Sequence, residues 1–166
     1  MRGRLMLLLV LPGALILLWA LFLRDNSPEQ RVRALLERGR EAFEAGNAGD
    51  CVAECAEDFV LDGRRRLTRA ELRDGLASWF VAERGGLFGD LPWQLEIPPE
   101  SLLIEPAGAD GELRALFLAR FWREPLGGAP RWEVELELEL VPEGRSFLIR
   151  SARERRTVSG RSLLRW

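Results

Sequence analysis

The chain has 166 residues, with 24 arginines, 26 acidic residues and a formal net charge of −2, and it contains no lysine, histidine or tyrosine. These absences exclude a Ser-His catalytic triad, histidine metal ligands, lysine Schiff-base chemistry and a P-loop for phosphate. Residues 25–166 contain all 26 acids but only 21 of the arginines, so this part has a formal charge of −5, which argues against general nucleic-acid binding.

The amino terminus contains a long apolar segment. Leu5 to Leu23 is a run of 19 residues without a charge, with two arginines before it and Arg24 directly after it. As a helix it would be about 28 Å long, close to the ~30 Å hydrocarbon core of a bilayer. The apolar part of a cleaved secretory signal is usually shorter, about 7 to 15 residues, and ends in small residues. The sequence therefore predicts that residues 1–24 are an uncleaved transmembrane signal anchor in the lipid bilayer, with a cleaved signal as the alternative. Residues 25–27 would be a short linker.

Arginines flank both ends of this apolar run, so their number does not decide its orientation. A short basic head normally stays in the cytoplasm, and large domains translocate largely regardless of their charge. The use of arginine alone as the basic residue indicates a GC-rich bacterial genome. We expect a single-pass protein of the bacterial inner membrane with a periplasmic domain, and a domain on the cytoplasmic face is the alternative.

Helical periodicity dominates the first part of the domain. Residues 27–30 have the form of a capping box, which predicts a helix that ends near Gly46. A shorter helix is predicted from Asp50. A second capping box at Thr68 predicts a third helix, and a short strand, Phe59 to Asp62, is expected before it. The apolar side of the second helix would consist of Val52, Cys55, Ala56 and Phe59.

The two cysteines of the chain, Cys51 and Cys55, would share one face of that second helix. A disulfide within one helix is geometrically awkward because the Cβ vectors diverge. We therefore expect two small buried hydrophobic side chains, with a redox or intermolecular pair as the alternative. The cysteines do not identify the compartment.

After Gly89 the hydrophobic period changes to two, which is typical of strands. The predicted strands are Trp93–Ile97, Ser101–Glu105, Glu112–Glu124, Arg131–Val141 and Ser146–Val158. Arginines of the third strand are expected to pair with glutamates of the fourth on an outward face. The outward residues are Arg114, Leu116, Leu118, Arg120, Trp122, Glu135 and Glu137. Glutamates two residues apart on a strand are about 6.8 Å apart, too far to share one metal ion, so no metal site is predicted.

The order of these elements resembles the nuclear transport factor 2-like superfamily, which includes the SnoaL-like proteins. The most specific stretches are residues 41–50 (EAFEAGNAGD) and 56–63 (AEDFVLDG), followed by 67–72 (LTRAEL). The resemblance covers residues 28–158 and implies a cone-shaped α+β fold, with three helices packed on a curved, mostly antiparallel sheet. A cystatin-type sheet wrapped on a helix is the alternative. Residues 159–166 would be a basic C-terminal tail.

In this superfamily the sheet curls around the helices and leaves a pocket in the cone. The side chains with inward parity would be Trp79, Trp93, Phe117, Phe121, Trp132, Phe147, Ser151 and Arg153. An inward arginine would suit a carboxylate ligand. Plain core packing explains the same aromatic residues, so a small-molecule ligand is one of two interpretations.

Catalytic relatives in the superfamily use Asp or His bases, often with Tyr or a protonated acid as donor. Asp58 and Asp62 are the acids of the matching region that could act as a base, and no donor partner can be named beside them. We therefore expect a protein that is not an enzyme and has no cofactor.

Members of the superfamily often pair through the outer sheet face, so the resemblance implies a homodimer or a bound envelope protein at the outward residues named above. The predicted function is a membrane-tethered, non-catalytic binding or assembly domain of a bacterial envelope. The alternative is a small-molecule binder, or a lyase- or isomerase-like enzyme, that uses the aromatic cone.

Overall fold

The structure is a computed structural model that describes residues 27–62, 66–84, 89–108, 110–123 and 129–160. In these residues three helices pack on one curved seven-stranded sheet, which confirms the predicted α+β class. The predicted anchor, residues 1–24, and most of the predicted C-terminal tail lie outside the described residues. No helix in the described part of the chain is long and apolar enough to cross a membrane.

Helix α1 spans Pro28–Glu44 and begins where the capping box predicts. The Ser27 hydroxyl accepts a hydrogen bond from the backbone N–H of Gln30 at 3.2 Å. The helix ends before Gly46, whose φ of 62° lies in the left-handed region that favours glycine. This helix buries an apolar stripe against the sheet, formed by Val32, Leu35, Leu36 and Ala42.

The second predicted helix is wrong in extent and in type. Helix α2 spans only Ala48–Cys51, and strand β1 begins at Cys55 and ends at Asp62. Phe59 is still buried, but as part of a strand that pairs with the last strand of the chain. The spacing of the apolar residues fits one face of a helix, and it also fits a strand with an irregularity, as seen between Cys55 and Val60. The segment is a strand, and not a helix, because it pairs with β7, the last strand of the chain.

Helix α3 spans Arg69–Glu83 and follows the two-residue strand β2, Leu67–Thr68. Both hydrogen bonds of the predicted capping box are present: Glu71 N–H donates to the Thr68 hydroxyl, and Thr68 N–H donates to the Glu71 carboxylate. The box therefore satisfies two of the backbone donors at the start of the helix.

The remaining strands lie nearly where they were predicted, and the last three are long. They are β3 (Trp93–Glu96), β4 (Leu103–Pro106), β5 (Leu113–Arg123), β6 (Trp132–Glu143) and β7 (Ser146–Ser159). The strand order is β2-β1-β7-β6-β5-β3, and β4 also pairs with β5. Only the β1–β7 pair of this sheet is parallel, so the predicted mostly antiparallel arrangement is confirmed. The predicted second strand starts late because Pro99–Ser101 forms a 3₁₀ turn.

Three β-bulges bend the pairing of β6 with β7. At each of them β7 contains one residue without a partner opposite it, namely Arg150, Arg155 and Val158. A bulge bends its strand, increases the local twist and can redirect a side chain. The sheet therefore curls, and the side-chain parity of β7 changes along its length.

The core lies between α1 and the inner face of the sheet. Val32 and Leu35 pack with inward residues of β5 and β6, among them Ala115, Val134 and Leu140, which are all 2% exposed or less. A second, smaller cluster consists of Val52, Cys55 and Phe59, with α3 packed against it through Leu72 and Leu76. The helices therefore cover the inner face of the sheet, and the face away from them is the outer face.

Candidate functional site

An aromatic cluster lies on the inner face of the sheet and consists of Phe43, Trp79, Phe80, Trp93, Phe121 and Trp132. The rings of Trp93 and Trp132 are stacked at 4.5 Å between centroids, and Trp79 lies 5.6 Å from Trp93. The indole N–H of Trp93 donates to Glu83 at 2.7 Å. Most of the neighbouring rings are also in contact, at 5.4 to 6.3 Å. The aromatic side chains therefore pack on one another in this region.

The structure brings together four of the predicted pocket residues, Trp79, Trp93, Phe121 and Trp132. The other two aromatic residues of that prediction, Phe117 and Phe147, lie in the main core, where the guanidinium of Arg31 is 4.7 Å from the ring of Phe147. Phe43 and Phe80 were not predicted to belong to this site. Both lie on the apolar sides of helices, which was the signal in the sequence that placed them near the sheet.

The predicted inward orientation of Ser151 and Arg153 is wrong. Phe147 faces the core, but the bulge at Arg150 reverses the parity of the residues that follow. Ser151 therefore lies opposite Glu139, and Arg153 lies opposite Glu137. Both side chains share the outer face of the sheet with the glutamates of β6.

The outer face combines arginine and glutamate side chains, as predicted from the alternation. Its residues are Leu103 and Glu105 of β4, Arg114, Leu116, Leu118, Arg120 and Trp122 of β5, Glu133, Glu135, Glu137 and Glu139 of β6, and Ser151, Arg153 and Arg156 of β7. Arg120 Nε donates to Glu133 at 2.9 Å, and Arg156 lies 3.7 Å from Glu135. The predicted pairing of arginine with glutamate across strands is confirmed.

One carboxylate of this face is buried under arginines. Glu137 is 2% exposed and lies between Arg114, Arg153 and Arg155, and we call these four residues the Glu137 cluster. Arg153 donates to Oε1 at 2.5 Å, Arg155 donates to Oε2 at 2.9 Å, and Arg114 Nε lies 3.3 Å from Oε1. Arg155 is a bulge residue, and its side chain contacts this carboxylate.

The opposite end of the outer face has an excess of acids. Arg120 lies between Glu133, at 2.9 Å, and Glu96, at 3.8 Å. The hydrogen bond with Glu133 is the main cause that raises the pKa of Arg120. The same pattern occurs where Arg150 hydrogen-bonds Glu112, which lowers the pKa of that carboxylate.

An apolar strip runs along the outer face beside these charges. It consists of Leu103, Leu116, Leu118 and Trp122. Leu103 of β4 is 53% exposed and lies directly opposite Leu116 of β5. Sequence reasoning missed Leu103, although its place in the alternation of β4 gave the signal. The strip is half-buried to exposed, and none of the described helices covers it.

A groove of about 540 Å³ adjoins the outer face at its β3 edge. The groove is lined by Glu37, Arg40, Glu44, Gln94, Leu95, Glu96, Ile97 and Trp122. Glu44 accepts hydrogen bonds from the backbone N–H of Leu95 and from Arg40, so it ties α1 to the edge strand. This contact occupies a backbone donor of the edge that another strand would need for pairing.

Asp58 and Asp62, the weak catalytic candidates, are exposed on β1. Neither has the desolvated environment that adapts a carboxylate for general-base catalysis. Among the described residues no group of three or more Cys, Asp or Glu side chains is arranged to hold a metal ion.

The two cysteines are free thiols on different elements. Cys51 ends α2 and Cys55 begins β1, so they do not share a helix face. Burial raises the pKa of the Cys51 thiol to about 12 and that of Cys55 to about 11. Thiols of this kind are weak nucleophiles at neutral pH because the thiolate is the reactive form.

Several solved structures share this fold. The protein Aln2 of a Streptomyces species has a TM-score of 0.63 and 17% identity, over 78% of this chain and 92% of that one. A nuclear transport factor 2-like protein of unknown function from Pseudomonas putida has a TM-score of 0.59 and 17% identity, over 76% and 84%. A protein of unknown function with a cystatin-like fold from Nostoc punctiforme has a TM-score of 0.58 and 12% identity, over 75% and 86%.

No protein-family model matches the sequence, and no curated protein matches it. At identities of 12 to 17% the structural likeness concerns the fold alone. The nuclear transport factor 2-like and cystatin-like architectures, which were alternatives from the sequence, both occur among the similar structures. The fold expected from the sequence is thereby supported, and the function has to be argued from the residues.

Proposed function

We propose that this chain is a non-catalytic binding or assembly domain, tethered to the membrane of a bacterial envelope, which pairs with a second copy of itself through the outer face of the sheet. The observation that carries the proposal is the apolar strip on a face otherwise made of ordered ion pairs. Leu103 is 53% exposed beside Leu116, and such apolar patches rimmed by polar groups mark protein interaction sites.

The charges of the outer face support a second copy as the partner. At the β7 side, three arginines surround Glu137, whereas at the β3 side two glutamates surround Arg120. A two-fold axis places the same patch of both copies face to face. With the axis between the two ends, the arginine-rich end of one copy lies over the acid-rich end of the other, which favours association through complementary potentials.

The anchor part of the proposal rests on Leu5 to Leu23, an uncharged run of a length that suits a bilayer. The periplasmic side is proposed from the short basic head before it. A reporter that is active only in the periplasm, fused after Trp166, should be active in intact cells. Activity only of a cytoplasmic reporter at the same position would place the domain on the other side.

The pairing is tested by cysteine crosslinking of the full chain in its native membrane. Both native cysteines are first replaced by alanine. In this background Leu118→Cys should give a covalent dimer with a short bismaleimide, because Leu118 lies in the apolar strip. Val81→Cys is the matched control, since Val81 is 41% exposed on α3, on the helix side of the sheet. Equal dimer bands for the two variants, or no dimer band for either variant, would refute pairing through the outer face.

The aromatic cluster supports a second candidate function, the binding of a flat apolar molecule. Trp79 and Trp132 are only partly buried, so a ligand could reach their rings. Because the rings already contact one another, a ligand would have to displace some of these contacts. Ligand-induced thermal stabilisation that is lost in Trp132→Ala, but kept in Leu118→Cys, would favour this candidate.

A further inference from the structure

The Glu137 cluster differs from the other ion pairs of the outer face in its charge balance. Arg120 and Arg150 each lie near two glutamates, and Arg156 lies near one. In the cluster the ratio is reversed. Arg114, Arg153 and Arg155 all form their ion pairs with the same acid, Glu137, at 3.3, 2.5 and 2.9 Å. The four side chains of the cluster therefore sum to a charge of +2. Glu105 and Glu139 lie opposite Arg114 in the sheet, and Asp62 lies opposite Arg153, so the acids around the cluster offset part of this charge.

The burial of the four groups shows where this excess charge is available. Glu137 is 2% exposed, whereas the side chains of Arg114, Arg153 and Arg155 are 41, 46 and 48% exposed. The carboxylate is therefore buried by the guanidinium groups that contact it. Each guanidinium has five N–H donors, and the hydrogen bonds to Glu137 use one donor from Arg153 and one from Arg155. The remaining donors belong to side chains that are about half exposed to solvent.

The arginines are held in place before any ligand arrives. Glu137 fixes Arg153 and Arg155 through separate oxygens, and these two arginines share a face of β7 because they are two residues apart on the strand. Arg114 approaches from β5 on the other side, where it lies opposite Glu139 but reaches Glu137. Donors that are already oriented lose less conformational entropy on binding than free side chains.

We infer that the Glu137 cluster is a binding site for an oxyanion, a phosphate or carboxylate group, which lies over Glu137 and accepts hydrogen bonds from Arg153 and Arg155, with Arg114 adding positive charge. Planar guanidinium groups match the oxygens of both kinds of group. The site does not depend on the pairing proposed above, because a free anion can occupy it in a single copy. In a pair, a carboxylate of the second copy has the same chemistry and can take the same place.

The test uses the full chain in detergent and inorganic phosphate as the probe, against sodium chloride at equal ionic strength. Phosphate should raise the melting temperature of the wild-type chain in a saturable manner, and chloride should not. Arg155→Gln and Arg153→Gln should each weaken phosphate binding by about tenfold or more, since each removes a charge-assisted hydrogen bond. Arg156→Gln is the control, because it removes the same charge from the same strand and face but pairs with Glu135.

Equal phosphate affinity in all these variants, or no advantage of phosphate over chloride in the wild-type chain, would overturn the inference. The second comparison needs no variant, so it holds even if an arginine variant fails to fold. The natural occupant of the site is either a free anion or a carboxylate of a second copy. Measuring the molecular mass of the chain during the phosphate titration distinguishes the two. If a carboxylate of a second copy competes for the site, phosphate will shift the chain towards the monomer, and if only free anions use it, phosphate will bind without changing the mass. Binding by a chain that is monomeric throughout would refute the pairing and leave the anion site standing.

Discussion

Glu137 shows how one side chain combines burial with charge. Its carboxylate accepts hydrogen bonds from two arginines, and charged hydrogen bonds are stronger than neutral ones. The arginines are about half exposed, so water can solvate them again if the carboxylate is lost. The stabilisation is therefore smaller than that of a fully buried ion pair.

We expect Glu137→Ala to lower the free energy of unfolding by about 2–3 kcal/mol, from two lost charge-assisted hydrogen bonds and the repulsion of the remaining arginines, reduced by solvation. The matched change Glu135→Ala should cost less than about 1 kcal/mol, because that pair is exposed and 3.7 Å apart. Denaturant unfolding followed by tryptophan fluorescence measures both. Equal losses would show that burial of Glu137 has no effect on stability.

The two thiols should make the stability of the chain depend on pH in the alkaline range. Burial raises the pKa of Cys51 to about 12 and that of Cys55 to about 11. The folded chain holds these protons more tightly than the unfolded chain, whose thiols have a pKa near 9.0. The contribution of the two thiols to stability should thus be constant below about pH 8 and fall as the pH rises from about 9 towards 11. Lysine and tyrosine, which titrate in the same range, are absent.

Replacement of both cysteines by alanine should remove most of this alkaline loss of stability, as measured by thermal unfolding between pH 8 and pH 11. Alkylation of the native thiols at pH 7.5 should also be much slower than alkylation of the unfolded chain. A loss of stability that is unchanged in the alanine variant would assign the effect to other groups.

Among the strands, β3 and β4 pair with different parts of β5, and the hydroxyl of one serine hydrogen-bonds the backbone of β5 in the gap between them. Both strands pair with β5, and the residues between them leave the backbone N–H of Leu118 without a strand partner. The Ser101 hydroxyl accepts this hydrogen bond at 3.1 Å and donates to the Pro98 carbonyl at 2.7 Å. The 3₁₀ turn therefore continues the sheet edge with a side chain.

Ser101→Ala should destabilise the fold by about 1–2 kcal/mol, because it leaves a half-buried backbone donor without a partner. Ser78→Ala serves as the control: its hydroxyl bonds a carbonyl within exposed helix α3, and alanine is the better helix former. Hydrogen exchange at the Leu118 amide should be faster in Ser101→Ala only. Unchanged exchange there would mean that the hydroxyl is not needed.

Local patterns predicted most elements, and long-range contacts determined the rest. The capping boxes at Ser27 and Thr68 located the helix starts because their signals lie within four residues. The type of the segment from Cys55 depended on pairing with β7, about 90 residues away, which no local pattern contains.

The bulges of β7 explain why the candidate site was only partly predictable. Strict alternation of inward and outward residues predicts that Phe147 and Arg153 face the same side, and the extra residue at Arg150 reverses this. The outer residues of β5 and β6 were predictable because those strands pair without a bulge. Arg153 and Arg155 are on the face of Glu137 because of the bulge at Arg150, so the sequence did not reveal that three arginines surround this carboxylate.

In the whole molecule, the two faces of the sheet differ in their side chains and in what covers them. The inner face is covered by helices and filled with apolar side chains, including the aromatic cluster. The outer face has the apolar strip, an arginine-rich end and an acid-rich end. Such a face suits a self-complementary partner, and a membrane anchor would raise the local concentration of the copies that pair.

The most direct test of this pairing is the mass of the full chain in detergent, determined by sedimentation equilibrium over a range of concentrations. We expect a dimer for the wild-type chain and for Val81→Arg, whose new charge lies on α3. Leu118→Arg should raise the dissociation constant by at least about tenfold, since it puts an unpaired charge at the centre of the apolar strip. A wild-type chain that stays monomeric at every concentration, or a Leu118→Arg chain that associates as tightly as the wild type, would contradict it.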